Sequence, residues 1–317
     1  MAGGEPRRIG FLLVPKFSFV AFINAIEVLR VANRISSTPL YAWRVLSDDG
    51  QAVTASNDMP AMVDARLSEA GELDSLIVCS SFDPQRYKNR ETFGQIRRMA
   101  RHGTSLGGLC TGAYVLARAG LLDGYRCTLH WENLDGFRED FPEIEATGEL
   151  FEIDRDRFTA AGGTAPLDMM LTLVGEHHGT DLAIQVSEYL IHERIRSPHD
   201  HQRMTLRARL RVSNPRLLDA VSLMEQELET PLALDAIATE VGVSKRQLER
   251  LFRSYLGCSP GRYYIGLRLK RARTLLEQTS MSITDVGVAC GFVSASHFSR
   301  CYREHFGHSP RHQRVTA

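Results

Sequence analysis

The last third of the chain contains the same short pattern twice. A shift of 50 residues places Arg250 on Arg300, whereas upstream of the turn the matching shift is 49 residues, so the second copy has one additional residue inside its turn. Each copy has the pattern of a short helix, a turn containing glycine and a second helix. The duplication restricts this part of the chain to an all-α fold, with predicted helix-turn-helix units at residues 234–255 and 283–306.

Helix-start signals precede the second helix of each copy. Ser244 and Gln247 have the spacing of a capping box, in which each side chain bonds to the backbone of the other residue. In the second copy Ser294 is the predicted cap, and Val293 with Phe298 has the spacing of a hydrophobic staple. The residues predicted to share the core-facing side of the first of these helices are Leu248, Leu251, Phe252 and Tyr255.

The outward-facing residues of both second helices are polar or basic. Residues 231–317 carry 13 Lys and Arg against 6 Asp and Glu, although the whole chain has 38 of each kind. A basic module on an acidic body is typical of polyanion binding, and a major groove admits one helix of this kind. The alternative is a pair of ordinary solvated helices. The predicted DNA-contacting residues are Ser244, Lys245, Arg246, Gln247, Arg250, Arg253, Ser294, Ser296, His297, Ser299, Arg300 and Arg303.

Residues 218–316 resemble the DNA-binding domain of the AraC/XylS transcription regulators. The resemblance rests on IATEVGVSKRQLERLFRSYLGCSP and on GFVSASHFSRCYREHFGHSP. It implies one polypeptide that places two recognition helices in successive major grooves, about 10 bp apart. The partners it implies are double-stranded DNA and RNA polymerase.

The first two-thirds of the chain alternates between apolar runs and helical patterns. The predicted strands are 9–15, 41–47, 73–80, 104–110 and 157–163, with helical segments between them. Strands and helices of these lengths predict βαβ units and a mainly parallel sheet that is covered on both faces. After residue 196 the pattern breaks, and residues 197–215 are polar with a proline near each end, as in a linker.

A cysteine stands where a strand is predicted to turn sharply into a helix. In GGLCTGAYVLARAG, Cys110 follows a glycine-rich strand end and precedes an Ala/Leu-rich helix, and His130 lies twenty residues further on. A helix N-terminus stabilises a thiolate, and a neighbouring imidazole can act as its base. The pattern is therefore compatible with Cys–His chemistry.

Residues 9–195 resemble the PfpI-like, class I glutamine amidotransferase-like domain found fused to AraC-type domains in the GlxA group of regulators. In PfpI-like enzymes this cysteine is the nucleophile. Two departures argue against catalysis: Thr111 stands where PfpI-type proteases carry histidine, and Ala21 stands where many members carry an acid on the first helix. Glu27 lies six residues beyond Ala21. We expect a ligand pocket without turnover, lined by Cys110, Thr111, Gly108, His130, Trp131 and Glu27; a cysteine-dependent hydrolase or hydratase is the alternative.

The combined predictions describe a flavodoxin-like α/β sensor domain followed by an all-α double helix-turn-helix domain. The predicted bounds are 1–196 for the sensor, 197–215 for the linker and 216–317 for the DNA-binding domain. HWE, FTAAGGTAPLDMM and DHQR are similar to segments of the regulators of glycine betaine, carnitine and arginine catabolism, which implies a quaternary ammonium or amino-acid inducer. The face of Trp131 suits a cationic ligand, and packing in the core is equally compatible with it.

These features predict a transcription activator rather than an enzyme, acting as a homodimer in the cytoplasm. No apolar run approaches the ~18 residues of a membrane span, and the first ten residues have no apolar signal core. No cofactor is expected. The histidines at 177, 178, 192, 199 and 201 lack supporting ligands, so no metal is expected either. Asp168 is predicted to cap its helix, with a contact to the pocket as the alternative.

Overall fold

The computed structural model describes residues 5–316, and it divides the chain between Gln202 and Arg203. We call the part up to Gln202 unit 1 and the part from Arg203 unit 2. The division falls inside the segment 197–215, for which a linker was predicted. The outermost predicted boundaries, residues 1 and 317, lie outside the described residues.

Unit 1 is built on a seven-stranded sheet. Its strand order is β10-β11-β7-β6-β1-β2-β5, and every neighbouring pair is parallel except β10 with β11. Two further pairs, antiparallel β3–β4 and parallel β8–β9, stand outside it. The strands are β1 (Arg7–Leu13), β2 (Tyr41–Ser47), β3 (Val53–Thr54), β4 (Pro60–Ala61), β5 (Ala65–Arg66), β6 (Ser75–Ser80), β7 (Ser105–Cys110), β8 (Arg126–Thr128), β9 (Glu145–Thr147), β10 (Phe151–Asp154) and β11 (Arg157–Ala160).

Helices cover both faces of this sheet. The α-helices of unit 1 are α1 (Phe19–Ser36), α2 (Arg90–Arg101), α3 (Gly112–Arg118), α4 (Trp131–Asp140), α5 (Ala165–His178) and α6 (Thr180–Tyr189). One apolar core joins α1, α5 and α6 to the sheet, and a second joins α2, α3 and α4 to it. Because β6 is covered on both sides, all six of its residues are buried, which explains its continuous apolar sequence.

Unit 2 is entirely helical. Its helices are α7 (Leu206–Leu210), α8 (Pro215–Gln226), α9 (Leu234–Glu240), α10 (Lys245–Leu256), α11 (Pro260–Gln278), α12 (Ile283–Ala289), α13 (Ala295–Phe306) and α14 (Pro310–Thr316). Two separate apolar cores form, one around α9 and α10 and the other around α12 and α13. Helix α11 contributes Tyr264 to the first core and Leu269 and Leu276 to the second, so one helix connects the two helix-turn-helix units.

The predicted fold class is confirmed: a flavodoxin-like α/β unit precedes a helical one. The five predicted strands correspond to β1, β2, β6, β7 and β11. Six strands of two to four residues and the polar helix α4 were not predicted from the sequence. Within residues 5–316 no helix is both long and apolar enough to cross a membrane.

Candidate functional site

The elbow in unit 1 places Cys110 at the end of β7, one residue before α3 begins at Gly112. Cys110 has a φ of 59°, a left-handed backbone conformation that residues other than glycine rarely adopt. The turn needs glycine at 112, because a Cβ there would lie 2.2 Å from the carbonyl oxygen of Val78. The predicted sharp strand-to-helix turn is therefore present.

The thiol at this elbow is buried. Cys110 is 6% exposed, and its Sγ lies 3.6 Å from the Oγ of Ser81. Burial raises the pKa of the Cys110 thiol to about 11, although the Ser81 hydroxyl and the backbone N–H of Thr111 favour the thiolate. A nucleophilic cysteine requires the opposite shift, so this elbow keeps its cysteine protonated at neutral pH.

Two of the predicted pocket residues are structural parts of the elbow. The Thr111 hydroxyl donates a 2.7 Å hydrogen bond to the carbonyl oxygen of Ser81 and is buried. Gly108 lies within β7, where a Cβ would approach the backbone nitrogen of Ala113 to 2.8 Å. Gly108 therefore allows β7 and α3 to pack closely, and Thr111 ties the elbow to the residue after β6.

His130 and Trp131 are the accessible residues beside the elbow. The backbone N–H of His130 donates to the carbonyl oxygen of Cys110 at 3.2 Å, and His130 is the N-cap of α4. Its Nδ1 accepts a hydrogen bond from the backbone N–H of Glu132, and burial lowers the pKa of its imidazole. Trp131 is 40% exposed, with its ring centroid 5.6 Å from that of His130. The imidazole therefore caps a helix, and Trp131 presents an aromatic surface.

The first helix supplies no acid to the thiol among the contacts described. Ala21 is buried, and Glu27 forms a 2.7 Å ion pair with Arg30 on the same helix. Six residues separate Ala21 from Glu27, a rise of about 9 Å along α1. Glu27 is thus engaged with Arg30, and nothing among its contacts joins it to Cys110.

A glycine loop that was not among the predicted site residues lies against the cysteine. A Cβ on Gly162, whose φ is 100°, would lie 2.9 Å from the Cβ and 3.0 Å from the Sγ of Cys110. The Asn24 side chain donates to the carbonyl oxygen of Gly163 at 3.0 Å. The glycine pair after β11 was a usable signal, because this strand neighbours β7.

The prediction that Asp168 caps α5 is wrong. Asp168 is fully buried. Its Oδ1 accepts a hydrogen bond from the backbone N–H of Arg196 at 2.7 Å, and the same oxygen lies 2.8 Å from the Nε2 of His192. Its Oδ2 accepts two bonds from the Arg196 guanidinium, at 2.6 and 2.9 Å. Arg196 also donates to the Thr164 hydroxyl at 2.7 Å. A buried carboxylate needs such partners, so Asp168 joins the glycine loop to the end of unit 1.

The segment after Arg196 is hydrogen-bonded to residues that precede α4 and β10. The backbone N–H of Leu150 donates to the carbonyl oxygen of Pro198 at 2.8 Å. The Gln202 side-chain amide lies within hydrogen-bond distance of Leu129 and Glu149 carbonyl oxygens, at 3.1 and 2.8 Å. We call residues 196–202 the strap. It touches the residue that precedes His130, and it ends where unit 1 ends.

The described residues contain no group of three or more His, Cys, Asp or Glu side chains arranged to hold a metal ion. The predicted histidine positions have other contacts: His177 lies 3.3 Å from the Tyr41 hydroxyl, and His199 lies 3.2 Å from Glu149.

In unit 2, the capping box at the start of α10 is present as predicted. The Ser244 hydroxyl accepts from the backbone N–H of Gln247 at 3.3 Å, and the Gln247 side chain accepts from the backbone N–H of Ser244 at 2.9 Å. Leu248 and Phe252 are buried, whereas Tyr255 is 51% exposed. The core-facing prediction for Tyr255 is therefore wrong, since the helix ends near the edge of its core.

The second recognition helix, α13, begins at the predicted cap. The Ser294 hydroxyl accepts a hydrogen bond from the backbone N–H of His297 at 3.4 Å. It also lies 2.7 Å from the Ser296 hydroxyl. The predicted staple is wrong, because Val293 is fully exposed and Phe292 packs on Phe298 instead, with ring centroids 5.1 Å apart.

The predicted DNA-contacting residues lie at the surface of α10 and α13. Lys245 pairs with Asp235 at 3.0 Å and Arg253 with Glu249 at 3.3 Å. Arg250 and Arg300 are exposed, and no ion pair to either guanidinium occurs within residues 5–316. The other exposed members are Ser244, Arg246, Gln247, Ser294, Ser296 and Arg303, whereas His297 and Ser299 are half-buried.

An α/β unit with a cysteine elbow, followed by two helix-turn-helix units on one connecting helix, defines a DNA-binding regulator. The helix-turn-helix domain family matches residues 237–315, and the DJ-1/PfpI family matches residues 7–176, more than half of the chain. The chain belongs to the transcription regulators that join a DJ-1/PfpI domain to an AraC-type helix-turn-helix domain.

Relatives of the same architecture cover almost the whole chain. The HTH-type transcriptional regulator GbdR of Pseudomonas aeruginosa is 51% identical over 310 residues, which are 98% of this chain and 84% of that protein. CdhR of the same organism is 48% identical over 305 residues, 96% of this chain and 90% of that protein. A crystal structure of an AraC family transcriptional regulator from Pseudomonas putida matches 58% of this chain and 100% of its own, at 34% identity and a TM-score of 0.54.

Proposed function

We propose that this DNA-binding transcription regulator is a homodimeric activator whose unit 2 inserts α10 and α13 into successive major grooves. The observation that carries the proposal is the pair of exposed Arg250 and Arg300 guanidinium groups, at equivalent positions of the two copies and without ion pairs in the described chain. Helix α11 has 19 residues, a length of about 28 Å, which is comparable to the spacing of about 34 Å between successive grooves.

Substitution of these two arginines tests the DNA-contact assignment. Arg250→Ala and Arg300→Ala are each expected to weaken operator binding by about 2 kcal/mol, roughly thirtyfold, because each removes a charged contact to a base or phosphate. The measurement is a gel shift with the full chain, and Arg90→Ala in unit 1 is the matched control. Unchanged affinity for both unit 2 variants would contradict the assignment.

The inducer in this proposal is a small nitrogenous metabolite, a quaternary ammonium compound or an amino acid. The resemblance to regulators of betaine, carnitine and arginine catabolism supports this class. The half-exposed Trp131 ring offers a π-face for a cationic nitrogen, and the Glu132 carboxylate, 3.8 Å from the Nδ1 of His130, adds a negative charge nearby. The other wall residues in this proposal, Cys110, Thr111 and Gly108, are buried.

The ligand effect proposed here is a population shift carried by the strap. Gly162 lies against Cys110, and Thr164 and Asp168 hold Arg196 at the start of the strap. A ligand that favours one arrangement of the glycine loop would favour one arrangement of the strap, and with it one DNA-binding state of the dimer. Contact with RNA polymerase completes the activator role.

Thermal unfolding with a panel of candidate ligands tests the inducer class. Glycine betaine, dimethylglycine, carnitine, choline and arginine are the panel. A true inducer present at about 100 times its Kd stabilises the folded state by about 2.7 kcal/mol, which raises the melting temperature by several degrees. The same ligand is expected to give a smaller shift with Trp131→Ala. No shift with any of the five would contradict the proposed class.

The same geometry argues for a sensor rather than an enzyme. The relatives GbdR and CdhR are transcriptional regulators. Burial raises the pKa of the Cys110 thiol, and the Nδ1 of His130 is engaged with the start of α4. Catalysis by Cys110 would need a thiolate and a base in contact with it, and the described contacts supply neither.

A further inference from the structure

The turn before the second recognition helix differs from its counterpart by the one residue that the repeat adds. In the first copy Gly242 is followed by Val243 and the cap Ser244, whereas in the second copy two residues, Phe292 and Val293, stand between the glycine and the cap. Val243 is half-buried against the first core, and Phe292 is 3% exposed in the second. Phe292 has therefore taken the packing position of Val243, and Val293 is the additional residue.

Val293 is held outward by a rigid turn. The Arg268 guanidinium donates to the carbonyl oxygens of Cys290 and Gly291 at 2.7 and 2.6 Å, and it lies over the Phe292 ring at 4.0 Å from the centroid. A Cβ on Gly291 would lie 2.5 Å from Pro231, which shows how closely this turn is packed. With Phe292 fixed in the core, Val293 is fully exposed.

The position of this valine coincides with the DNA-contacting end of α13. Val293 directly precedes the cap Ser294, and the first residues of a recognition helix contact base edges in the major groove. Its exposed polar neighbours Ser294 and Ser296 carry hydroxyl groups that can hydrogen-bond, and the half-buried His297 carries an imidazole. A branched apolar side chain in that setting matches one feature of the major groove, the C5-methyl group of thymine.

We infer that Val293 contacts the methyl group of a thymine in the half-site bound by α13, and that it makes the second helix-turn-helix unit selective for thymine at one position. The inference rests on the proposed insertion of α13 into the major groove. The valine would give α13 a base preference through apolar contact, in addition to any hydrogen bonds that the polar residues of the helix make to bases. A turn that is fixed before binding favours such a contact, because no ordering of the valine backbone is needed.

Replacement of thymine by deoxyuridine in a bound duplex isolates this methyl group. A binding sequence is first selected from random DNA with the full-length protein, and each thymine of the selected site is then replaced singly by deoxyuridine. For the wild type we expect one replacement to weaken binding about fourfold, the effect of one lost apolar methyl contact. Val293→Ala is expected to weaken binding to the original duplex by a similar factor and to be insensitive to that replacement.

Val288→Ala is the matched control, because Val288 is also exposed, at 61%, but lies on α12, which precedes the recognition helix. It should keep the wild-type response to deoxyuridine. The inference is overturned if deoxyuridine weakens binding of the wild type and of Val293→Ala equally at every thymine. It is also overturned if Val293→Ala binds DNA normally but activates transcription poorly, since Val293 would then contact the polymerase. Weaker binding by Arg300→Ala, together with no effect of Val293→Ala on binding, would leave the groove assignment intact and overturn only the methyl contact.

Discussion

The elbow of unit 1 and the recognition helices of unit 2 both carry side chains typical of a functional site, but they use them differently. At the elbow the polar groups bond to each other: the Thr111 hydroxyl donates to Ser81, and the Asp168 carboxylate is surrounded by Arg196 and His192. On α10 and α13, Arg250 and Arg300 are exposed and form no ion pair within the described chain.

This difference bears on which region is suited to direct contact with a partner molecule. A catalytic cysteine must be both accessible and deprotonated, whereas Cys110 is 6% exposed with a raised pKa. An arginine that is to contact DNA must remain solvated and unpaired until it meets phosphate or base, and Arg250 and Arg300 are exposed and have no ion pair within the described residues. Unit 1 thus has a strand-to-helix elbow whose cysteine is buried, whereas unit 2 has exposed arginines on its helices.

The largest effect expected from this comparison concerns thiol reactivity. With a pKa of about 11, Cys110 has on the order of a few-hundredfold less thiolate at pH 8 than a free thiol with a pKa of ~8.5. We expect alkylation by iodoacetamide, measured by mass spectrometry at the Cys110 peptide, to be slower by about that factor. The rate should increase with pH up to about 11 and become fast on unfolding. Rapid alkylation of the native protein at pH 7 would show that the elbow is a poised nucleophile.

The next effect concerns the buried carboxylate that holds the strap. Asp168→Asn keeps the size of the side chain but leaves the Arg196 guanidinium without its counter-charge, so the free energy of unfolding of unit 1 should fall by about 2–3 kcal/mol. Chemical denaturation followed by tryptophan fluorescence measures the change. The exposed Asp181, on α6, provides the control Asp181→Asn, for which we expect a change within about 0.5 kcal/mol. Equal changes in the free energy of unfolding for the two variants would mean that the hydrogen bonds and ion pairs of Asp168 do not stabilise unit 1.

Substitutions at two adjacent glycines distinguish the cost of a steric contact with Cys110 from the cost of backbone strain. Gly162→Ala should lower the free energy of unfolding by about 2 kcal/mol, because the new Cβ meets Cys110 and the φ of 100° is strained for alanine. Gly163→Ala, where no atom lies within 4 Å of the new Cβ, should lower it by about 1 kcal/mol from its φ of 56° alone. A smaller effect at 162 than at 163 would contradict the close contact of the loop with Cys110.

The smallest effect concerns the start of α10. Ser244→Ala removes one half of the capping box and should destabilise unit 2 by about 1 kcal/mol. Ser254→Ala, at an exposed interior position of the same helix, is expected to be neutral or slightly stabilising. Thermal unfolding monitored by circular dichroism gives both values, and equal stability of the two variants would show that the cap is dispensable.

Much of the fold could be predicted because it depends on local patterns. The buried strand β6 is a continuous apolar run, and the capping box of α10 is a four-residue signal. The short strands β3, β5 and β9 have two or three residues each and no period, so only tertiary pairing defines them. Helix α4 is polar along most of its length, and it begins where His130 happens to cap it.

The site was harder to predict because its contacts join distant residues. Asp168 and Arg196 are 28 residues apart, and Gly162 reaches Cys110 only because β11 pairs with β7. The staple prediction at Val293 failed for a related reason: the spacing fits, but Phe292 buries more apolar surface and occupies the position. Spacing alone does not determine which of two neighbouring apolar residues enters a core.

One experiment can test the central claim, which is that unit 2 contacts DNA and that the Cys110 elbow performs no chemistry required for that contact. Fluorescence anisotropy gives the Kd for a selected operator duplex of the wild type, of Cys110→Ala and of the double variant Arg250→Ala/Arg300→Ala, without added ligand. We predict that Cys110→Ala binds within about twofold of the wild type and that the double variant binds at least about a hundredfold more weakly. The opposite pattern, with binding lost in Cys110→Ala and retained in the arginine variant, would contradict the account.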